Sequence, residues 1–292
     1  MPRARKEKET QKAEERNNDS DDEIRQYYRA LSLAWGAQHW WPAETAFEVI
    51  VGAYLTQNTA WTNVELALAN LRAARVLSLE GIREVPLRKL EHLIRPSGYF
   101  RQKAERLKTF VSFLNERYGG SLDQLFAQPT GKLREELLGL NGVGPETADS
   151  ILLYAGSHPV FVVDAYTRRI LDRHGIRQEK ANYEDIRELF ERALAPIATP
   201  QEAVQREQRS ANTAAKHGSG IRGAAHLPSA MSMAPRPGLA QIYNEMHGLI
   251  VGVGKNYCKK SQPKCDGCPY SVSCLALIDG TSPSNRNRRK RC

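Results

Sequence analysis

Long apolar runs are missing from this chain. No stretch approaches the roughly 20 residues that a helix needs to cross a bilayer, and no membrane partner is expected. The opening stretch MPRARKEKET is charged and has no apolar segment, which argues against a signal peptide or an anchor. A cytoplasmic location is therefore expected, nucleoid-associated if the source is prokaryotic. Strand-like alternation is also scarce: PVFVV at 159–163 is its best example, and the fold class expected is all-α. A fixed-period repeat is absent, which excludes a solenoid. Cysteine is sparse, five in 292 residues, and in a reducing compartment these thiols would not form disulfides. Charge is abundant: 42 Lys and Arg against 33 Asp and Glu give a net +9, which favours a polyanionic partner. Part of that excess sits in the C-terminal NRNRRKRC, either a solvated end or a phosphate-binding arm.

Helical periodicity fills most of the rest. Residues 1–21 carry both charge signs without an aliphatic stripe, so a disordered tail is expected there. From Asp22, Ile24, Tyr27, Tyr28, Leu31 and Leu33 recur at helical spacing. AETAFEVIVGAYLTQ is apolar on nearly every side and begins with Thr45 and Glu48 in capping-box register, which predicts a core helix. Further helices are predicted over 61–74, 86–94, 100–117, 130–139, 145–155, 164–173, 182–194 and 239–253. Residues 197–238 interrupt this rhythm with Ala, Ser, Gly, Pro and Arg and read as a mobile insertion.

Three local patterns carry chemistry. Cys258, Cys265, Cys268 and Cys274 form a C-x6-C-x2-C-x5-C box, a metal-binding pattern. With only one C-x2-C knuckle it fits a four-iron, four-sulfur cluster better than a zinc ribbon. Lys255, Lys259, Lys260 and Lys264 share this region and are either phosphate contacts or solvated charges. In LNGVGPETAD, Gly142 and Gly144 allow a sharp turn with exposed amides ahead of a helix that starts at Pro145. That is either a phosphate-gripping hairpin or a plain turn between two helices. Asp164 in FVVDAYTRRIL opens another helix, where an N-cap role and a chemical one can coexist.

Taken in order, LNGVGPETAD, VVDAYTRR and the cysteine box resemble the helix-hairpin-helix DNA glycosylases of the endonuclease III superfamily. FEVIVGAYLTQNTAW and RPSGYFRQKAERL upstream add to the resemblance. It implies two helical domains with the active-site cleft between them. One is a barrel over 43–157 with the hairpin. The other combines 22–42 and 158–274 with an iron-sulfur loop, and 275–292 is a basic tail. It also implies a monomer acting on double-stranded DNA with a damaged base. The catalytic carboxylate carries over to Asp164, the phosphate-gripping hairpin to Asn141, Gly142, Val143 and Gly144, and the wedge that fills the base stack to Gln57. Asn58 would also touch DNA, although Asn58 and Thr59 equally suit a cap on the helix that begins near Trp61.

Bifunctional members carry a lysine two residues after the hairpin's second glycine, where this chain has Glu146. A carboxylate cannot form a Schiff base, so a monofunctional enzyme without AP-lyase activity is expected. Glu146 is either an accessory acid or base, or a helix residue facing solvent. WWP followed by LTQNT resembles the 3-methyladenine DNA glycosylases of this superfamily, which implies a base pocket of Trp40, Trp41 and Trp61 for alkylated purines. The alternatives are a uracil, mismatch or oxidised-pyrimidine glycosylase, or an iron-sulfur protein that binds damaged DNA without catalysis.

Overall fold

The computed structural model describes residues 2–198, 226–265 and 267–270. The elements are α-helices with a few 3-10 and π turns, and no strand occurs among the described residues. PVFVV runs as irregular chain. The chain divides into two compact units. A hairpin unit comprises Trp41–Val162 and Leu227–Ala240. A terminal unit comprises the described residues of Met1–Trp40, Val163–His226 and Gln241–Cys292.

The hairpin unit is organised around α2 (Ala46–Thr56), buried at every position from Phe47 to Leu55. Thr45 Oγ1 accepts from Glu48 N at 3.1 Å. The return half of the capping box goes one residue further back than predicted, with Glu48 Oε2 accepting from Glu44 N at 3.3 Å. The buried Glu48 carboxylate also pairs with Arg72, a counter-charge that makes its burial tolerable. Around α2 pack α3 (Trp61–Ala73), α6 (Phe100–Tyr118), α9 (Pro145–Ser150) and a π turn over Ile151–Ala155. Short α4 (Leu79–Glu84), α5 (Leu87–Leu93), α7 (Leu122–Phe126) and α8 (Thr130–Leu138) complete this part of the chain.

In the terminal unit, α1 (Pro2–Trp35) lies along α11 (Tyr183–Leu194). Asp21 accepts two bonds from Arg192, at 2.7 and 2.8 Å. Ile24, Tyr27, Tyr28 and Leu31 are buried as the spacing predicts, whereas Leu33 is exposed. The helix also reaches back to Pro2, where disorder was expected through residue 21. Glu, Lys, Arg, Gln and Ala are strong helix formers, so a helix can extend there without an apolar stripe. α10 (Ala165–Arg173) carries the candidate acid at its start.

The segment expected as a mobile insertion needs a second correction. Residues 199–225 lie outside the described residues, but Leu227–Ala240 packs with the hairpin unit, not with the domain to which the sequence assigned it. Ser229 caps α12 (Ala230–Met233) through a capping box. Its hydroxyl also accepts from Ala43 N at 3.1 Å, and Met231 N donates to Ala43 O at 3.0 Å. These non-local bonds leave no trace in composition. α13 (Gly238–Asn256) follows.

Candidate active site

The glycine hairpin joins α8 to α9. Gly142 has φ +78°, a region that L side chains rarely adopt, and Val143 N closes the turn on Leu140 O at 3.1 Å. Val143 is buried, so its side chain anchors the turn while Asn141 and Gly144 remain exposed. Gly144 is the N-cap of α9 and supplies no side-chain cap bond; a Cβ there would meet nothing within 4 Å. Beneath the turn, the fully buried Asp149 of α9 takes two bonds from Arg134 of α8, at 2.7 and 3.1 Å. This two-pronged ion pair fixes the angle between the helices.

Gln57, the expected wedge, is tied to this hairpin. Its Nε2 donates to Gly142 O and to Thr147 Oγ1, both at 2.9 Å, and its Oε1 accepts from Arg106 at 2.7 Å. Asn58 is exposed at φ +52°, a conformation that Asn tolerates better than most residues. Neither it nor Thr59 caps α3, whose N-cap is Ala60 without a side-chain bond.

Three further residues of this region went unassigned at the sequence level. Lys103, 1% exposed, donates to Leu55 O at 2.8 Å and Ser97 O at 2.7 Å. Burial, and secondarily the Arg106 charge, pull its pKa down to about 8. Arg106 lies one helical turn further along α6 and lines Gly142. Tyr99 is 68% exposed and held at φ +45°, an uncommon backbone state for a bulky residue. An aromatic residue after Gly98 was the only signal available for it.

Asp164 is the N-cap of α10. Its Oδ1 accepts from Thr167 N at 2.7 Å and Thr167 Oγ1 at 2.9 Å, so the cap role is realised. Its Oδ2 lies 3.6 Å from Nε2 of the buried His247 on α13. Burial holds His247 below the usual imidazole range, against the opposing pull of Asp164, which favours a neutral ring. Among the described residues, the carboxylate is thus oriented by dipoles rather than by a fixed cation. Trp40 lies in this unit too. It is buried, with His226 and His247 rings at 5.4 and 5.9 Å and Lys255 Nζ 6.0 Å from its centre. Asn244 Nδ2 donates to its carbonyl at 2.6 Å.

Trp41 groups with the hairpin unit instead. Trp61 meets it edge-on at 5.0 Å and Tyr154 lies at 5.2 Å. Gly52 allows the close approach, since a Cβ would lie 3.3 Å from Trp41 Cζ2. Trp61 is partly exposed and its Nε1 donates to Glu65 at 2.8 Å. The three tryptophans grouped from sequence therefore fall into two clusters: Trp41 with Trp61 and Tyr154, and Trp40 with two histidines.

Comparison with known proteins settles what kind of chain carries this hairpin and this aspartate. Residues 51–196 match the HhH-GPD superfamily of base excision DNA repair proteins. The chain belongs to this superfamily. A Methanocaldococcus jannaschii protein, provisionally named a DNA repair glycosylase, is 41% identical over 254 residues, covering 87% of this chain and 96% of its own. Endonuclease III of Thermotoga maritima is 35% identical over 245 residues, 84% of this chain and 90% of that protein. Among solved structures, the Helicobacter pylori 3-methyladenine DNA glycosylase bound to 1,N6-ethenoadenine has a TM-score of 0.59 at 30% identity, covering 81% of this chain and 97% of that one. The protein is thus a DNA repair glycosylase of the endonuclease III type.

Within this glycosylase, Glu146 lies in the first turn of α9 and is exposed. Of the cysteine box, Cys258, Cys265 and Cys268 are described, and Cys274 lies outside the described residues. Among the described residues no three metal-binding side chains converge. Arg173 donates to Cys258 Sγ at 3.1 Å and Arg169 to Cys258 O at 2.7 Å. Cys265 and Cys268 share a tight turn, with Cys268 N bonded to Cys265 O at 3.1 Å and Gly267 at φ +78°. A guanidinium against one sulfur and a turn carrying two more suit thiolate ligation.

Proposed function

We propose that this glycosylase is monofunctional and hydrolyses the N-glycosidic bond of alkylated purines such as 3-methyladenine in duplex DNA. The observation that carries the substrate choice is the likeness to the H. pylori 3-methyladenine glycosylase over 97% of that chain. The edge-on Trp41–Trp61 pair with Tyr154 supports it in kind. An N-alkylated purine bears positive charge, and a desolvated cation–π contact is worth about 2 kcal/mol. The same charge makes the base a good leaving group.

In this reading the hairpin amides of Asn141 to Gly144 hold a backbone phosphate, and the damaged nucleotide is turned out of the stack. As the bond from C1′ to the base nitrogen breaks, its electrons leave with the base and cationic character grows on the sugar. Asp164, oriented among the described residues by the Thr167 amide and hydroxyl, opposes that charge. Water then bonds to C1′ and gives up a proton to Asp164, leaving an abasic site. Glu146 cannot supply an amine, so no Schiff base forms. The exposed Tyr99 is available to touch the opened duplex. Cys258, Cys265, Cys268 and Cys274 would hold a 4Fe-4S cluster, which when bound supplies a rigid, redox-capable centre in the C-terminal loop.

Uracil or an oxidised pyrimidine is a second reading, favoured by the 35% identity to T. maritima endonuclease III. The test incubates the pure protein with methylated duplex DNA and with duplexes carrying uracil or an oxidised pyrimidine, with and without borohydride. Release of 3-methyladenine, an uncut abasic strand and no trapped adduct are expected. Release of pyrimidines alone overturns the substrate choice, and a covalent adduct overturns the monofunctional assignment.

A further inference from the structure

Asn244, His247 and Gly248 lie three and four residues apart on α13, hence on one side of the helix. Asn244 Nδ2 donates to Trp40 O at 2.6 Å. Gly248 lets the helix close on residues 38–40, since a Cβ there would lie 3.0 Å from both Gln38 Cβ and Trp40 Cβ. This seating holds the buried His247 between two neighbours. The Trp40 ring lies 5.9 Å away centre to centre, and Asp164 Oδ2 is 3.6 Å from Nε2. All of these residues belong to the terminal unit.

We propose that His247 is a positioning residue for Asp164, an imidazole whose Nε2–H donates to Oδ2 and fixes the direction in which the carboxylate can act. This rests on the reading of Asp164 as the catalytic carboxylate. An ionised carboxylate has about four acceptor sites. The Thr167 amide and hydroxyl take two of them on Oδ1. His247 takes a third on Oδ2, which leaves the last for the sugar or the attacking water. The tautomer follows from charge: a bare Nε2 would turn its lone pair on the carboxylate, whereas an N–H there presents a dipole of favourable sign. An imidazolium would cancel the charge that Asp164 brings to the reaction, and burial opposes that form. The 3.6 Å separation is long for a bond, as contacts in a substrate-free site often are before the substrate tightens them.

The rival role for His247 is packing, because the same ring faces Trp40. Two variants separate the roles. His247→Phe keeps a ring and loses the donor, while His247→Gln keeps a donor near the Nε2 position and loses the ring. Single-turnover release of 3-methyladenine from methylated duplex DNA should slow by roughly ten- to a hundredfold in His247→Phe, the scale of one hydrogen bond to a charged group. Affinity for a duplex carrying a tetrahydrofuran abasic analogue should be kept. His247→Gln should recover part of the lost rate, whereas packing predicts that Gln is the slower of the two. In the free wild-type protein labelled with 15N-histidine, long-range 1H–15N spectra near neutral pH should show His247 protonated at Nε2 alone, and that proton resonance should move in Asp164→Asn. A His247→Phe rate equal to wild type, a His247→Gln rate below that of His247→Phe, or protonation at Nδ1 alone or at both nitrogens would each overturn the proposal. The spectra need no substrate, so a wrong lesion assignment leaves them decisive. Full activity of Asp164→Asn would instead remove the reading of Asp164 itself, a separate signature.

Discussion

Asp149 and Asp164 are both shielded carboxylates, and they are held in opposite ways. Asp149 is fully buried and gripped by the two prongs of Arg134. Asp164 keeps a little exposure, is oriented by the amide and hydroxyl of Thr167, and faces a histidine that burial keeps below its usual range. A counter-cation neutralises a buried charge and ends its chemistry, whereas dipoles orient a charge and leave it available. The first arrangement suits a rivet and the second a catalyst. Lys103 extends the contrast to a cation: it too is held by dipoles, two carbonyls, while burial and then the Arg106 charge lower its pKa.

Removing the rivet should have the largest effect. Arg134→Met strands the Asp149 carboxylate, and a loss of about 3–5 kcal/mol in unfolding free energy is expected, readable by denaturant titration. A loss under 1 kcal/mol would remove the distinction between the two acids. Asp164→Asn should do the reverse, with stability and DNA affinity nearly kept because an amide oxygen still caps α10. Base release should fall by about 10²–10³, and single-turnover assays check this directly. Lys103 gives the smallest effect and refines the comparison by pH. Its folded pKa of about 8 lies below the ordinary 10.5, so the unfolded chain holds the proton more tightly between these values. Wild-type stability relative to Lys103→Met should therefore be flat below pH 8 and rise from pH 8 to 10.5, by at most about 1.4 kcal/mol per pH unit. A flat difference across that window would mean that the ammonium is not desolvated.

Local signals were legible in the sequence. Helices appear where period and caps put them, as at Phe100–Tyr118, Thr130–Leu138 and Tyr183–Leu194. The glycine turn and the Asp164 cap could be read because turns and caps are decided by a few adjacent residues. What escaped depends on partners far along the chain. Trp40 and Trp41 look alike in sequence, yet one meets histidines and the other Trp61. The bonds of Gln57 to Gly142 and Thr147 cannot be read from the loop that carries it, and nothing in AHLPSAMSM announces Ala43 as its partner.

The way the two units share one chain bears on how the protein is born. The hairpin unit has most of its residues in hand once Val162 has been made, and lacks only the strap Leu227–Ala240. The terminal unit includes α1, which must wait for partners far along the chain: Asp21 binds Arg192, and Tyr28 binds Glu245. Such distant closures are slow, so during synthesis α1 carries its apolar face without cover while the hairpin unit is already able to condense. Helix α1 is thus among the last elements to find its place.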